Sequence, residues 1–198
     1  PTEWQASTYP PALRQMIEVI FDGVDSQAVK PDAAATVTLP EGKVLRAGEE
    51  VLTFVNRNLE PYRGYHSFMR ALPKMLKAKP NAQVLIVGDN GVSYGDKPPA
   101  GTTWKDVFWN EAKQNMDEQM ASRVHFLGRV PYNQFLAILQ VSSVHVYLTY
   151  PFVLSWSLLE AMSVGCAIVG SDTAPVREVI ENDRTGRLVD FFSPAELV

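Results

Sequence analysis

Short apolar runs alternate with helical patterns over most of this sequence. The segments 51–55 (VLTFV), 83–87 (QVLIV) and 144–148 (VHVYL) lack the regular polar alternation of a strand with one face in water. Strands with apolar residues on both faces are buried between layers of helices, and strand–helix–strand crossovers make their sheet parallel. The pattern predicts an α/β fold: a doubly wound, mainly parallel sheet with helices on both faces.

The predicted strands and helices follow one another without an internal repeat or a linker. Strands are predicted at 51–55, 83–87, 123–127, 144–148, 167–169 and 187–189, and helices at 65–78, 104–121, 131–140, 157–164 and 175–181. We therefore expect one domain over 1–198, in which 1–48 is a less regular lead-in with a helix at 13–20 and a short strand at 36–39. The sequence starts at Pro1 without an initiator Met, and Ser193-Pro-Ala-Glu196 predicts another helix with a capping box. We therefore expect both ends to continue into a longer protein.

Charge and composition argue against several classes of partner. The 198 residues include 22 acidic and 18 basic side chains, for a net charge of −4, so we expect no nucleic-acid partner. The single cysteine, Cys166, cannot form an intrachain disulfide, and its setting in GCAIV indicates a small buried residue rather than a nucleophile. No stretch reaches the roughly 18 uncharged apolar residues of a transmembrane helix. We therefore predict no transmembrane segment.

The first candidate site follows strand 51–55, because ligands of doubly wound sheets bind at the carboxyl ends of the strands. Arg57 and Arg63 flank a proline-containing turn, and Gly64 stands at the entrance of the next helix. The forked donors of two arginines can clamp a diphosphate. The alternative is a pair of solvated loop arginines, with or without an ion pair between one of them and Glu60.

The second candidate is the helix predicted at 157–164. The unpaired N–H groups at a helix start, and the positive end of the helix dipole, suit an anion. Glu160 lies about one turn inside this helix, where its carboxylate can accept hydrogen bonds from sugar hydroxyls. Ser157-Leu-Leu-Glu160 also fits a capping box, which requires no ligand.

The other loops carry weaker signals. Backbone groups at Arg129 and Val130, before a helix start, can pair with the edge of a base or can form a plain strand–helix loop. His125 and His145 fall at strand positions of the buried type. The sequence has no Gly-x-Gly-x-x-Gly after the first long strand, no Gly-Lys-Ser/Thr and no metal-ligand spacing. A dinucleotide-dependent dehydrogenase and a P-loop nucleotidase are therefore excluded.

Several segments together resemble one known family. They are FVNRNLEPYRG (54–64), VLIVG (84–88), VHFLGRVP (124–131) and SLLEAMSVG (157–165), with DGVD (22–25), SDTAPVREVI (171–180) and GRLVD (186–190) in support. They are similar to the C-terminal, donor-binding domain of retaining glycosyltransferases of family 4, whose GT-B architecture has two Rossmann-like lobes. The resemblance covers nearly the whole chain in the right order and implies that this chain is one such lobe.

The resemblance also implies roles for the candidate residues. Arg57, Arg63 and Gly64 would hold the diphosphate of a nucleotide-sugar donor, with Arg63 where many members carry lysine. Glu160 would bind the ribose hydroxyls, and the backbone at Arg129–Val130 would read the base. No catalytic residue and no metal ligand is implied on this chain.

The loop before Glu160 departs from the family pattern. By resemblance, Phe152, Ser155, Trp156 and Ser157 would meet the phosphate and the donor sugar. The family usually has two glutamates separated by seven residues, but Phe152 stands at the first position and Ser155 stands where glycine is usual. A carboxylate that would contact the transferred sugar is therefore missing. Because both arginines and Glu160 remain, we favour an active subgroup with altered donor contacts.

By resemblance, the longer protein transfers a sugar from a nucleotide-sugar donor to a hydroxyl acceptor with retention. We expect a metal-independent hexosyltransferase of polysaccharide biosynthesis that needs no cofactor, with the base of the donor left open. The acceptor glycan would bind through an N-terminal lobe that this sequence lacks, so we expect the chain alone to transfer nothing. We expect a cytoplasmic protein, with peripheral attachment to the inner face of the membrane as an open alternative.

Two other functions fit the same fold. One is a non-catalytic nucleotide- or sugar-binding scaffold, since fold alone does not establish function, and Phe152 favours it. The other is a GT-B-like enzyme such as a nucleotide-sugar epimerase, which would form product without an acceptor.

Overall fold

A six-stranded parallel sheet forms the centre of the computed structural model, which describes residues 2–198. The strands are β1 (Thr36–Thr38), β2 (Val44–Arg46), β3 (Val51–Asn58), β4 (Gln83–Asp89), β5 (Val124–Gly128), β6 (Val144–Tyr147), β7 (Ala167–Ser171) and β8 (Arg187–Val189). The last six pair in the order β5-β4-β3-β6-β7-β8, with every neighbouring pair parallel. This is the doubly wound α/β sheet that the apolar runs predict.

Helices cover both faces of this sheet. The helices along the described residues are α1 (Glu3–Ser7), α2 (Pro11–Arg14), α3 (Tyr65–Ala78), α4 (Trp104–Lys113), α5 (Glu118–Ala121), α6 (Tyr132–Val141), α7 (Trp156–Ser163) and α8 (Ala174–Arg177), with 3₁₀ turns at Pro61–Arg63 and Pro194–Leu197. Of these, α2 has no buried residue. None of the helices in residues 2–198 has the length and apolar character to cross a membrane.

The sheet separates two hydrophobic cores. Along β4, Val84 and Ile86 pack with α3 and α4, whereas Leu85 and Val87 pack with α6 and α7. All four side chains are buried, which explains why the strand reads as a continuous apolar run.

The topological switch point lies between β3 and β6. Both strands are central and parallel, with Leu52 opposite Val144 and Phe54 opposite Val146. The chain leaves β3 towards β4 on one side and leaves β6 towards β7 on the other, so a crevice opens between the two loops at their carboxyl ends. The fold thereby places the loops that follow Asn58 and Tyr147 side by side.

The lead-in differs from its prediction. The predicted helix at 13–20 is wrong: α2 begins at Pro11 and ends at Arg14. The next residues include Ile17, Val19 and Ile20, whose β-branched side chains disfavour a helix, and the exposure of Ile20 shows that little packing supports one. The strand expected at 36–39 is β1, which pairs with β2 as an antiparallel hairpin and contacts α6.

Three further predictions at helix positions also need correction. The helix expected at 175–181 is α8, which begins at Ala174 and ends at Arg177. The helix expected at 104–121 is divided into α4 and α5, because the Asp117 side chain accepts a hydrogen bond from Met120 N at 2.7 Å and starts a new helix. The capping box at 193–196 does not form. Ser193 makes no side-chain cap, and Glu196 Oε2 instead accepts from the backbone N–H of Asp190 at 2.9 Å.

Candidate functional site

The loops after β3 and β6 touch at the carboxyl edge of the sheet. Gly64 has a left-handed backbone with φ of 71°, and a Cβ built on it would lie 2.2 Å from Leu148 Cβ. Tyr150 N donates to Tyr62 O at 3.0 Å, which ties the same two loops together. Only glycine allows this approach, so Gly64 brings the neighbouring Arg63 against the loop after β6.

Arg57 and Arg63 reach one cleft from different positions. Arg57 is exposed near the end of β3, whereas Arg63 is half-buried in the following 3₁₀ turn. Arg63 Nη1 donates to Thr149 Oγ1 at 3.2 Å and to Val153 O at 3.4 Å, both in the loop after β6. Within residues 2–198, neither arginine has a carboxylate at ion-pair distance.

The alternative in which Glu60 pairs with one of these arginines is therefore wrong. Glu60 is 1% exposed, and its Oε2 accepts hydrogen bonds from the backbone N–H groups of Ser93 and Tyr94, each at 3.0 Å. This buried carboxylate fixes the loop after β4 against the loop after β3. Because the Glu60 carboxylate binds these backbone N–H groups and neither arginine, both guanidinium groups stay available to a ligand.

The helix α7 starts two residues earlier than the predicted capping box, Ser157-Leu-Leu-Glu160, requires. The N-cap is Ser155, whose Oγ accepts from Ser157 N, and the helix begins at Trp156. Glu160 is consequently the fifth helical residue, too far along the helix to cap it. Its Oε1 accepts a hydrogen bond from the Tyr132 hydroxyl at 2.8 Å, which raises the pKa of Tyr132. The carboxylate thus faces the start of α6 at the carboxyl edge of the sheet.

Three adjoining clefts run along this edge. The arginine cleft, of about 210 Å³, is lined by Asn56, Arg57, Asn58, Glu60, Arg63, Ser93, Tyr94 and Ser155. The Arg129 cleft, of about 310 Å³, is lined by Asn56, Arg57, Val87, Gly88, Arg129, Val130, Tyr132 and Phe135. The Glu160 cleft, of about 510 Å³, is lined by Asp22, Gly23, Val24, Asp25, Ala28, Val29, Tyr132, Trp156 and Glu160.

Shared residues connect these clefts into one surface. Asn56 and Arg57 line both the arginine cleft and the Arg129 cleft, and Tyr132 lines both the Arg129 cleft and the Glu160 cleft. Arg129 Nε lies 3.4 Å from Asp89 Oδ2, an exposed ion pair at the rim. The structure therefore brings Arg57, Arg63, Ser155, Arg129, Val130 and Glu160 onto one edge in a continuous order.

Four other predicted site residues do not line the arginine cleft: Gly64, Phe152, Trp156 and Ser157. Gly64 and Ser157 are both buried. Phe152 lies against Arg63 and lines a separate cleft beside the N-terminal segment. Trp156 is 64% exposed, and its Nε1 donates to Asp22 Oδ2 at 2.8 Å. Trp156 thus faces the lead-in rather than the arginines.

The histidines and the cysteine lie outside these clefts. His145 is fully buried with Nδ1 2.8 Å from Thr53 Oγ1, and burial lowers its pKa to about 4. His125 Nε2 is 3.0 Å from Gln83 Oε1, and burial lowers its pKa as well. His66 packs against Phe108 and Phe191. These histidines have the packing of structural residues, as predicted for the two in strands.

A cysteine nucleophile and a serine nucleophile have no support in the geometry. Burial raises the pKa of the Cys166 thiol to about 11, and its Sγ donates to Leu139 O, so the thiol is held neutral. Residues 91–95 (GVSYG) fit Gly-x-Ser-x-Gly, but they form bends and coil rather than a strand–turn–helix elbow. In the part of the chain that the structure describes, no three His, Cys, Asp or Glu side chains are grouped to hold a metal ion.

Sequence reasoning missed Tyr132 as a site residue. Its side chain is 58% exposed and its hydroxyl donates a hydrogen bond to Glu160. The available signal was its position: it begins a helix directly after the β5 loop, at the carboxyl edge. Tyr94 was missed for another reason, because the loop that carries it is positioned by Glu60 rather than by a local pattern.

Comparison with known proteins identifies the family. The sequence model described as "Glycosyl transferases group 1" matches residues 38–198, and one described as "Glycosyl transferase family 4 group" matches residues 1–29. A phosphatidyl-myo-inositol mannosyltransferase of Mycolicibacterium smegmatis is 31% identical over 178 residues, which cover 85% of this chain and 40% of that protein. A glycogen synthase of Mycobacterium tuberculosis is 25% identical, over 90% of this chain and 37% of that protein. The chain spans less than half the length of these curated relatives.

Solved structures show the same fold. The C-terminal domain of a group 1 glycosyl transferase from Francisella tularensis superposes with a TM-score of 0.69 at 19% identity, over 88% of this chain and 84% of that chain. The Anabaena protein HepE, solved in complex with UDP and glucose, gives a TM-score of 0.67 at 18% identity, over 93% of this chain and 46% of that chain.

Proposed function

The chain belongs to the glycosyl transferases group 1 family, and on this premise we propose that it binds the nucleotide-sugar donor of a glycosyltransferase. The observation that carries the proposal is the arginine cleft. Arg57 and Arg63 line it together, and neither guanidinium has a carboxylate at ion-pair distance among the described residues. Ser155, the N-cap of α7, lines the same cleft and adds the positive end of that helix. This concentration of positive charge suits a diphosphate.

The neighbouring clefts accommodate the rest of a nucleotide. The Arg129 cleft shares Arg57 with the arginine cleft and offers the backbone of Val130 to the edge of a base. Glu160 presents a carboxylate that already accepts one hydroxyl hydrogen bond, from Tyr132, and ribose hydroxyls are donors of the same kind. We therefore assign diphosphate binding to Arg57 and Arg63, base binding to Arg129 and Val130, and ribose binding to Glu160.

For the longer protein we propose transfer of the sugar to a hydroxyl acceptor with retention of the anomeric configuration. Negative charge accumulates on the departing diphosphate in the transition state, and the two arginines and the α7 start would stabilise it without a metal. Removing one such charged contact is expected to cost about 2–4 kcal/mol of transition-state stabilisation. Acceptor groups and any general base would come from an N-terminal lobe. A cytoplasmic location fits this proposal, with peripheral membrane attachment as an open alternative.

A titration of the chain with UDP, GDP, ADP and TDP tests donor binding. We expect saturable NMR shifts for one nucleotide and about tenfold weaker binding by Arg57→Ala, since a charged hydrogen bond is lost. Arg184→Ala is the matched control: Arg184 is exposed, pairs with Glu181 and precedes β8 at the opposite edge of the sheet. Equal losses from both variants, or no binding of any nucleotide at millimolar concentration by the folded chain, would contradict the proposal.

A non-catalytic scaffold remains the second candidate because Phe152 stands where the family resemblance expects a carboxylate. The two functions differ in the longer protein. Sugar transfer that is abolished by Arg63→Ala supports the transferase, whereas nucleotide binding without any transfer supports the scaffold.

A further inference from the structure

Arg63 lies against an aromatic corner formed by Tyr62, Tyr94, Tyr150 and Phe152. The centre of its guanidinium is 5.3 Å from the Phe152 ring centroid and 5.5 Å from that of Tyr94, both within cation–π range. These two rings also meet in a T-shaped contact, with centroids 4.7 Å apart. Tyr62 completes the corner at 5.3 Å from Tyr150 and 6.3 Å from Phe152. One cation is thus held by ring faces from different loops.

Backbone hydrogen bonds fix this corner from outside. The bond from Tyr94 N to the buried Glu60 carboxylate anchors the loop after β4. The bond from Tyr150 N to Tyr62 O anchors the loop after β6 to the turn that carries Arg63. The rings are therefore in place before any ligand arrives, and a preorganised cation loses less freedom when it binds an anion.

The corner holds Arg63 without neutralising it. Among residues 2–198, only Nη1 of this guanidinium donates hydrogen bonds, to Thr149 Oγ1 and Val153 O, both uncharged acceptors. A carboxylate at position 152, so close to the guanidinium, would form an ion pair and reduce the positive potential of the arginine cleft. The aromatic ring of Phe152 supplies attraction and leaves the net charge at +1.

We infer that Phe152, together with Tyr94, is a positioning residue that holds Arg63 in the arginine cleft and leaves its full charge to an anionic ligand. The inference rests on the proposed function, because the anion is the diphosphate of the donor. It assigns the unusual residue at 152 a part in phosphate binding that acts through Arg63 rather than through the transferred sugar.

A double-mutant cycle tests this assignment. The probe is whichever of UDP, GDP, ADP and TDP binds the unaltered chain, and the variants are Phe152→Leu, Arg63→Ala and the combination of both. We expect Phe152→Leu to weaken binding roughly 3- to 10-fold, the range of a partly exposed cation–π contact. On the Arg63→Ala background, the same substitution should change affinity less than about twofold, because the residue it positions is gone.

Charge and shape controls sharpen the test. Phe152→Glu should weaken binding more than Phe152→Leu, and it should make the affinity less dependent on salt, since an ion pair replaces a free cation. Phe152→Tyr keeps the ring and should retain affinity. Phe192→Leu is the matched control, because Phe192 is 70% exposed and its ring contacts Phe191 rather than Arg63. NMR spectra establish that each variant is folded.

The measurements distinguish a failure of nucleotide binding from a failure of the role assigned to Phe152. If no nucleotide binds the unaltered chain, the proposed function fails first. If a nucleotide binds but Phe152→Leu leaves its affinity unchanged, or the losses from Phe152→Leu and Arg63→Ala multiply, Phe152 does not act through Arg63. An unchanged salt dependence in Phe152→Glu would likewise overturn the inference while leaving nucleotide binding intact.

Discussion

Replacement of Gly64 by alanine probes the contact that joins the two halves of the site. The Cβ of the new residue would lie 2.2 Å from Leu148 Cβ and 2.9 Å from Leu148 Cδ1, whereas carbon atoms in contact prefer about 3.5–4.0 Å. Rotation of the leucine cannot remove the first contact, because Cβ is fixed to the backbone. The turn before α3 and the residue after β6 must therefore move apart by more than about 1 Å.

Two terms contribute to the expected loss of stability. The left-handed backbone at Gly64, with φ of 71°, disfavours alanine by about 1 kcal/mol. Overpacking at a buried position adds roughly 1–3 kcal/mol. We therefore expect Gly64→Ala to lower the free energy of unfolding by about 2–4 kcal/mol, an amount that leaves most domains of this size folded. The same displacement would move Arg63, so nucleotide affinity should fall as well.

Urea unfolding of Gly64→Ala and Gly101→Ala separates these terms. Gly101 has a nearly equal φ of 76°, but no other atom lies within 4 Å of the place that a Cβ would take, so only the backbone term of about 1 kcal/mol applies. The difference between the two variants, at constant m value, measures the clash. If Gly64→Ala is no less stable than Gly101→Ala, a Cβ at position 64 does not clash with Leu148 strongly enough to lower the free energy of unfolding.

Three further results are expected. Glu160→Gln should weaken binding of the best nucleoside diphosphate roughly 3- to 10-fold but should not weaken binding of its 2′,3′-dideoxy analogue. Equal losses of affinity for both compounds would show that Glu160 does not bind the ribose hydroxyls. Burial lowers the pKa of His145 from 6.5 to about 4. Between these two pH values the unfolded chain binds a proton at this histidine that the folded chain does not. The free energy of unfolding should therefore fall by up to roughly 3 kcal/mol as the pH drops from 6.5 to about 4. His145→Gln should flatten this slope in urea titrations at several pH values. Glu60→Gln should destabilise by about 1–3 kcal/mol because two backbone N–H groups lose a charged acceptor, whereas Glu181→Gln, at an exposed ion pair, should change stability by less than about 1 kcal/mol in the same assay.

The sheet was predictable because its signal is local. The neighbouring strands β3 and β4 each contain an apolar run with both faces buried, and α3 occupies the predicted range of 65–78 because its apolar residues repeat at helical spacing. The lead-in was less predictable. Apolar residues at 13–20 have helical spacing too, but Leu13, Met16 and Ile20 are exposed, and spacing alone does not reveal that packing is missing.

The candidate site was predictable only in part. A topological rule selects the loops, so Arg57, Arg63 and Glu160 could be named before their positions were known. The contacts made by these residues could not be named, because they join distant segments. The hydrogen bond between Tyr132 and Glu160 spans 28 positions, and the ring of Phe152 reaches an arginine on another loop. No local pattern encodes such pairs.

The strand order also has a kinetic consequence. β3, which carries Arg57, pairs with β6. The two strands are far apart in the sequence: Leu52 of β3 lies opposite Val144 of β6. Pairing between distant segments is slow, because a long loop must close before any contact is gained. The arginine cleft therefore forms only once β3 and β6 have paired, so a partly folded chain without this pairing lacks the complete cleft. Nucleotide would then stabilise the finished fold by slowing its unfolding, while the rate of folding stays the same.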